Sequence, residues 1–152
     1  VSAMAANTSN IPAGKEVGAT PDGRNAGRPL SDAASPFFGR DVHGPTAFLR
    51  SVAKPDYRNV LTGTVINMKF EPEYFEGEEG AEKFSAFTHY FVENRIPELQ
   101  FNFTGNKVLH EAKEHPEDFG DLVVRVSGFS AYFTRLDPAV QDDIIRRRSH
   151  KG

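Results

Sequence analysis

The stretch Arg125-Val126-Ser127-Gly128-Phe129-Ser130-Ala131-Tyr132-Phe133 decides how this chain is read. The apolar, β-branched residues 122–126 favour a strand, and residues 131–134 continue extended after the glycine. Gly128 has no Cβ, so a tight loop can adopt a backbone conformation closed to other residues and reach a partner site. Taken alone, the segment has a plain reading, a strand with a glycine at a bend or bulge. The rest of the chain has to decide whether more is meant.

Around that stretch lie 152 residues, the size of one domain, with 38% hydrophobic and 26% charged residues and 13 Phe. That composition is globular and suffices for one buried core. A net charge of −3 with mixed signs leaves no electrostatic footprint for nucleic acid or an anionic membrane. No apolar run approaches the roughly 20 residues that span a bilayer. The opening Val1-Ser2-Ala3-Met4-Ala5-Ala6 lacks the basic and apolar regions of a signal peptide, and its start in mid-pattern suggests a segment of something longer. The absence of cysteine excludes disulfides, thiolate metal sites and a cysteine nucleophile within the chain, and fits a cytoplasmic location.

Strands and helices alternate, which predicts an α/β fold. Residues 1–46, rich in Gly, Ala, Pro, Ser and Asn, read as strand and loop with little continuous helix. A short helix is expected over 45–53, with Phe48, Leu49 and Val52 on one face, and a strand over 62–70. Phe84, Phe87 and Phe91 recur at helical spacing, so 80–93 forms a helix whose aromatic stripe is core. A short strand follows at 99–103. The helix at 106–115 should stop at Pro116. The last helix opens with Asp137 as N-cap and Pro138 at its first position, and turns Val140, Ile144 and Ile145 inward. Asp142 and Asp143 lie early in it and Arg146, Arg147 and Arg148 late, which suits the helix dipole better than a nucleic-acid patch.

Several motifs then occur in one order. Gly18-Ala19-Thr20-Pro21-Asp22-Gly23-Arg24 is followed by Gly27, Pro29-Leu30-Ser31-Asp32, Ser35-Pro36, Gly39, Asp41 and Gly44-Pro45-Thr46-Ala47. Next come Asn67, Lys69 and Phe70 in an N-x-K-F pattern, Gln100-Phe101-Asn102, His115-Pro116-Glu117, Leu122-Val123-Val124-Arg125-Val126 and Val140-Gln141-Asp142-Asp143-Ile144-Ile145. Together with the Gly128 segment they resemble the carboxyl-terminal part of the glycyl radical enzymes, the pyruvate formate-lyase superfamily, over nearly the whole chain. The wording after Gly128 looks closer to the dehydratase, decarboxylase, carbon–heteroatom lyase and arylsuccinate or alkylsuccinate synthase branch than to pyruvate formate-lyase itself. Ala33-Ala34 departs from the pattern, where a glycine often follows the Ser-Asp pair.

The resemblance implies the last portion of a ten-stranded α/β barrel. Residues 1–116 would supply late barrel strands and helices, and 117–152 a glycyl radical domain of radical loop and closing helix. Gly128 would be the catalytic radical store, supported by Arg125, Val126, Ser127, Phe129, Ser130 and Tyr132, with Phe129, Tyr132 and Phe133 as wall residues around a buried, oxygen-sensitive site of anaerobic metabolism. Asn67 and Gln100 would face the barrel interior and bond substrate; bracing of backbone is the competing reading. No cofactor is bound and no metal site is expected. A separate activating enzyme with an iron–sulfur cluster and S-adenosylmethionine would install the radical. The partner cysteine, whose thiyl radical attacks a small organic substrate, must lie on a remainder of the enzyme or another subunit. The alternatives are a stand-alone repair module or a non-radical structural subunit that completes the barrel.

Other patterns carry less. The glycine-rich segment 14–27 lacks the ending of a phosphate-binding loop and the spacing of a dinucleotide fingerprint. His110 and His115, five apart, leave a common helix face and read as exposed. Asp22 and Arg24 are expected to pair and brace a loop.

Overall fold

A computed structural model of the chain describes residues 8–60 and 63–151. Residues 1–6, read above for a leader, and the first position of the expected strand at 62–70 lie outside those residues. The fold is mixed α/β. Helices α1 (Asn10–Glu16) and α2 (Gly44–Val52) precede strand β1 (Asn67–Phe70), and α3 (Gly77–Glu93) leads to β2 (Gln100–Asn102). Helix α4 (Asn106–Glu114) is followed by the hairpin β3 (Val123–Arg125) and β4 (Ser130–Tyr132), then α5 (Pro138–Arg146) and β5 (Ser149–His150). Among the described residues, no helix is long and apolar enough to cross a membrane.

The three-stranded parallel sheet runs in the order β2-β1-β5. As the central strand, β1 is buried along its whole length. Successive side chains alternate between faces, so Met68 and Phe70 enter one side and Asn67 and Lys69 the other. The apolar side packs against Phe48, Leu49 and Val52 of α2 and Phe87 of α3. Phe70, fully buried, is ringed there by Tyr74, Phe75, Phe87 and Phe101 at centroid distances of 4.8–6.0 Å. Contacts of that geometry add to the roughly 1.5–3 kcal/mol that burial of one Phe contributes. A second core lies under the hairpin, where Leu109 and Ala112 of α4, Val124, Val126, Phe133 and Ile144 of α5 meet.

Most expected elements are present, with α2 one residue earlier than expected, α3 begun three residues sooner, and α4 and the strands shorter. The strand expected at 62–70 narrows to β1, and the extended run after Ala131 gives way to a 3₁₀ turn at Phe133–Arg135. Within the aromatic stripe of α3, Phe87 is buried but Phe84 sits at the rim, 38% exposed. The N-terminal region differs more. Its described residues 17–43 are the expected turns and loop, but they hold no strand and α1 precedes them; Gly14 is in that helix for a packing reason, since a Cβ there would stand 2.3 Å from the carbonyl oxygen of Arg28. Arg24 meets Asp22 through its backbone N–H and not through its guanidinium. Its buried guanidinium donates to the carbonyls of Arg28 at 2.6 Å, Asn25 at 3.2 Å and Val17 at 3.3 Å, and to that of Gly18. An exposed Asp22 is held below the usual carboxylate range mainly by a hydrogen bond from Thr20.

Ala33 occupies φ +50°, left-handed backbone that an L-residue enters at a cost of about 1–2 kcal/mol. Ala33→Gly is expected to raise stability by about 0.5–1 kcal/mol, the relief of that strain less the greater freedom of glycine in the unfolded chain. An unchanged or lower urea midpoint would show that the loop tolerates the conformation without strain.

Candidate functional site

Strand β2 repeats the alternation of β1. Phe101 joins the aromatic core, while Gln100 and Asn102 face the other way. Register sets Asn67 beside Gln100 and Lys69 beside Asn102. Two paired strands therefore present a square of amide and ammonium side chains on one face, and each has a target on the elements above it.

The hairpin is the main target. Antiparallel pairing joins Val123 to Tyr132, Val124 to Ala131 and Arg125 to Ser130. The Val126 N–H donates to the Phe129 carbonyl at 2.9 Å, which leaves Ser127 and Gly128 as the tip. Gly128 has φ +83°, the left-handed region that glycine enters without cost. Asn102 imitates a neighbouring strand: its Oδ1 accepts the Arg125 N–H and its Nδ2 donates to the Arg125 carbonyl, both at 2.8 Å. Gln100 accepts the Gly128 N–H on Oε1 at 3.1 Å. Its Nε2 donates to the Glu98 carboxylate.

Buried charges hold the rest of the tip. The Ser127 hydroxyl donates to Asp32 Oδ1 at 2.9 Å. Arg147 donates through Nη1 to the Val126 carbonyl at 2.7 Å. Its Nη2 lies 3.4 Å from Asp32 and 3.2 Å from Asp143. Asn67 Nδ2 donates to Asp32 at 2.6 Å, and Asn10 of α1 reaches Asp143 at 3.4 Å. Burial pushes the Asp143 carboxyl above its usual range, against the pull of the Arg147 guanidinium. Lys69 donates to the carbonyls of Ile144 and Ile145, each at 3.1 Å, and to Asn106, so a cation sits at the negative end of α5. Burial, with the nearby Arg147 charge, lowers its pKa to about 8.

The residues singled out from sequence thus converge only in part. Arg125, Val126, Ser127, Phe129, Ser130 and Tyr132 all lie on the hairpin with Gly128, and Arg125 donates to the Ser130 hydroxyl at 3.1 Å. Phe133 is fully buried. Gly128 is exposed in this chain, as are Phe129 (40%) and Tyr132 (44%). Register explains the exposure of Tyr132, because Val123 and Tyr132 share the outer face of the hairpin and Val124 and Ala131 the inner. Tyr132 carries the Arg135 guanidinium 4.7 Å from its ring centroid. Asn67 and Gln100 both brace neighbouring groups, the first an aspartate and the second a backbone amide. His110 and His115 are exposed, whereas His150 is buried, 3.5 Å from Asp41. From sequence, Glu98 had no part, Asp32 and Asn102 were motif residues without a role, and Arg147 was only one of the basic residues at the end of the last helix. One signal pointed to Arg147, the i,i+4 spacing from Asp143 on a helix.

Known proteins resemble the chain in sequence and in fold. The family described as "Glycine radical" matches residues 30–134. The chain is 42% identical over 144 residues to the probable dehydratase YbiW of Escherichia coli, covering 94% of this chain and 18% of that protein. It is 42% identical over 146 residues to the isethionate sulfite-lyase of Oleidesulfovibrio alaskensis, again with 94% and 18% coverage. Its fold superposes on the glycerol-bound B12-independent glycerol dehydratase of Clostridium butyricum with a TM-score of 0.94 and 40% identity, over 99% of this chain and 19% of that one. The chain therefore spans about a fifth of the length of the relatives it matches.

Proposed function

The chain belongs to the glycine radical family, and we propose that Gly128 stores an unpaired electron on its own backbone for a radical lyase or dehydratase of which these residues are the carboxyl-terminal part. The observation that carries this reading is the anchoring of the Gly128 tip. A residue free of Cβ stands at a hairpin turn, with its own N–H, the preceding hydroxyl and the carbonyl before that each bonded to a separate side chain.

A radical at Cα lies between an amide nitrogen that donates electron density and a carbonyl that withdraws it. Both delocalise the spin once the centre flattens, and flattening meets least hindrance where no Cβ exists. Hydrogen-atom abstraction from Gly128 would be the task of an activating enzyme that uses an iron–sulfur cluster and S-adenosylmethionine. Gly128 would then take a hydrogen atom from a cysteine thiol, and the thiyl radical would act on a small organic substrate. This chain has no cysteine, so that thiol belongs to a remainder or partner of the enzyme. The relatives' printed activities support elimination or carbon–heteroatom cleavage as the reaction class. Residues 117–152 are the proposed radical unit, seated on α4. The rest of a ten-stranded barrel would cover the exposed Gly128, Phe129 and Tyr132, since a long-lived radical needs water and oxygen kept away.

Anoxic treatment of the assembled enzyme with activating enzyme and S-adenosylmethionine is expected to produce an organic radical signal by electron paramagnetic resonance. A well-formed assembly that gives none would make the chain a structural subunit.

A further inference from the structure

We propose that Glu98 and Gln100 form a positioning pair that fixes the amide of Gly128, a role that rests on the reading of Gly128 as the radical store. A glutamine amide has an accepting and a donating end, and rotation by half a turn exchanges them. The Gly128 N–H can only donate, so it needs Oε1. An ionised carboxylate can only accept, so Glu98 takes Nε2. Glu98 therefore selects the one orientation of Gln100 that suits Gly128; the reverse orientation would set two donors against each other. The pair is rigidly mounted. Gln100 is buried in β2, and its own N–H donates to the Ile66 carbonyl at 2.8 Å.

The bond acts on the nitrogen side of the centre. An N–H that donates to a carbonyl-type oxygen leaves its nitrogen richer in electron density and holds the amide plane in place. Nitrogen donation into the Cα orbital is one of the two interactions that stabilise a backbone radical. Glu98, half-buried at the edge of the site, acts through Gln100. It is a positioning residue, and Gln100 is the group it positions.

The test uses the complete assembled enzyme with Gln100→Met and Glu98→Ala. Before activation, amide hydrogen exchange in the peptide that spans 126–129 reads the bond itself; both variants are expected to exchange on the order of tenfold faster at Gly128, the loss of one hydrogen bond. After activation, both are expected to alter the splitting of the radical signal and shorten its lifetime, with Glu98→Asp closer to the parent than Glu98→Ala. Exchange, splitting and lifetime equal to the parent in Glu98→Ala, whatever Gln100→Met does, would overturn the pairing. A parent enzyme that gives no radical at all would instead overturn the storage reading, and with it the radical role of the pair, while exchange still reports whether the bond exists.

Discussion

Gly128→Ala is expected to abolish the radical and all turnover of the assembled enzyme while the fold survives nearly intact. The two effects have separate causes. A Cβ at Gly128 would have as its nearest neighbour Val65 Cγ2 at 3.9 Å, an ordinary contact, so nothing collides. The structural cost is confined to φ +83°, about 1–2 kcal/mol for an L-residue, offset in part by the lower entropy of the unfolded chain. The chemical cost is total because the added methyl hinders flattening and crowds the only α-hydrogen. Urea denaturation beside an activity assay separates the two. A variant that unfolds outright would assign Gly128 to structure, and one that turns over normally would remove it from the chemistry.

The largest stability effect is expected from Arg147→Met. Arg147 is 8% exposed and is shared by Asp32, Asp143 and the Val126 carbonyl. Its removal leaves two buried carboxylates without their cation, which typically costs 3–5 kcal/mol. That is a large share of the roughly 5–15 kcal/mol by which a domain is stable. The deficit should shrink as pH falls. Asp143 already has a raised pKa through burial, and Arg147 is what opposes that rise. Without Arg147 the folded state binds its proton more readily than the unfolded chain does. Stability of the variant relative to the parent then rises as pH drops toward the carboxylate range. A loss below about 1 kcal/mol, or one independent of pH, would mean that the cluster is solvated and not a buried network.

Legibility in the sequence follows how local each determinant is. Helix α5 was readable because its start is written in adjacent residues: the Asp137 carboxylate accepts the Ala139 N–H at 2.8 Å, and Pro138 needs no donor. The two extended arms of the hairpin could be read from the valines at 123, 124 and 126 and the aromatic residues after the glycine, whereas their pairing was not read. Helix α1 was hidden because Gly14, which lowers helix propensity, is required by the close passage of Arg28 and Pro29. The anchors of Gly128 were hidden for a different reason. Ser127 meets Asp32 across 95 residues and Gly128 meets Gln100 across 28, distances over which no periodicity operates. Asn67 and Gln100 were recognised as polar strand residues, and both face the same side of the sheet. Their register with Lys69 and Asn102 decides what they touch, and register between parallel strands is not written in either strand alone.

The measurement that bears most directly on Gly128 is electron paramagnetic resonance of the activated assembly, made once with ordinary glycine and once with glycine deuterated at the α-carbon. A radical on Gly128 retains a single α-hydrogen, so the expected result is a doublet that collapses on deuteration and is absent from Gly128→Ala. A signal that ignores the deuterium label, or persists in the alanine variant, would place the electron elsewhere and remove Gly128 as the radical store.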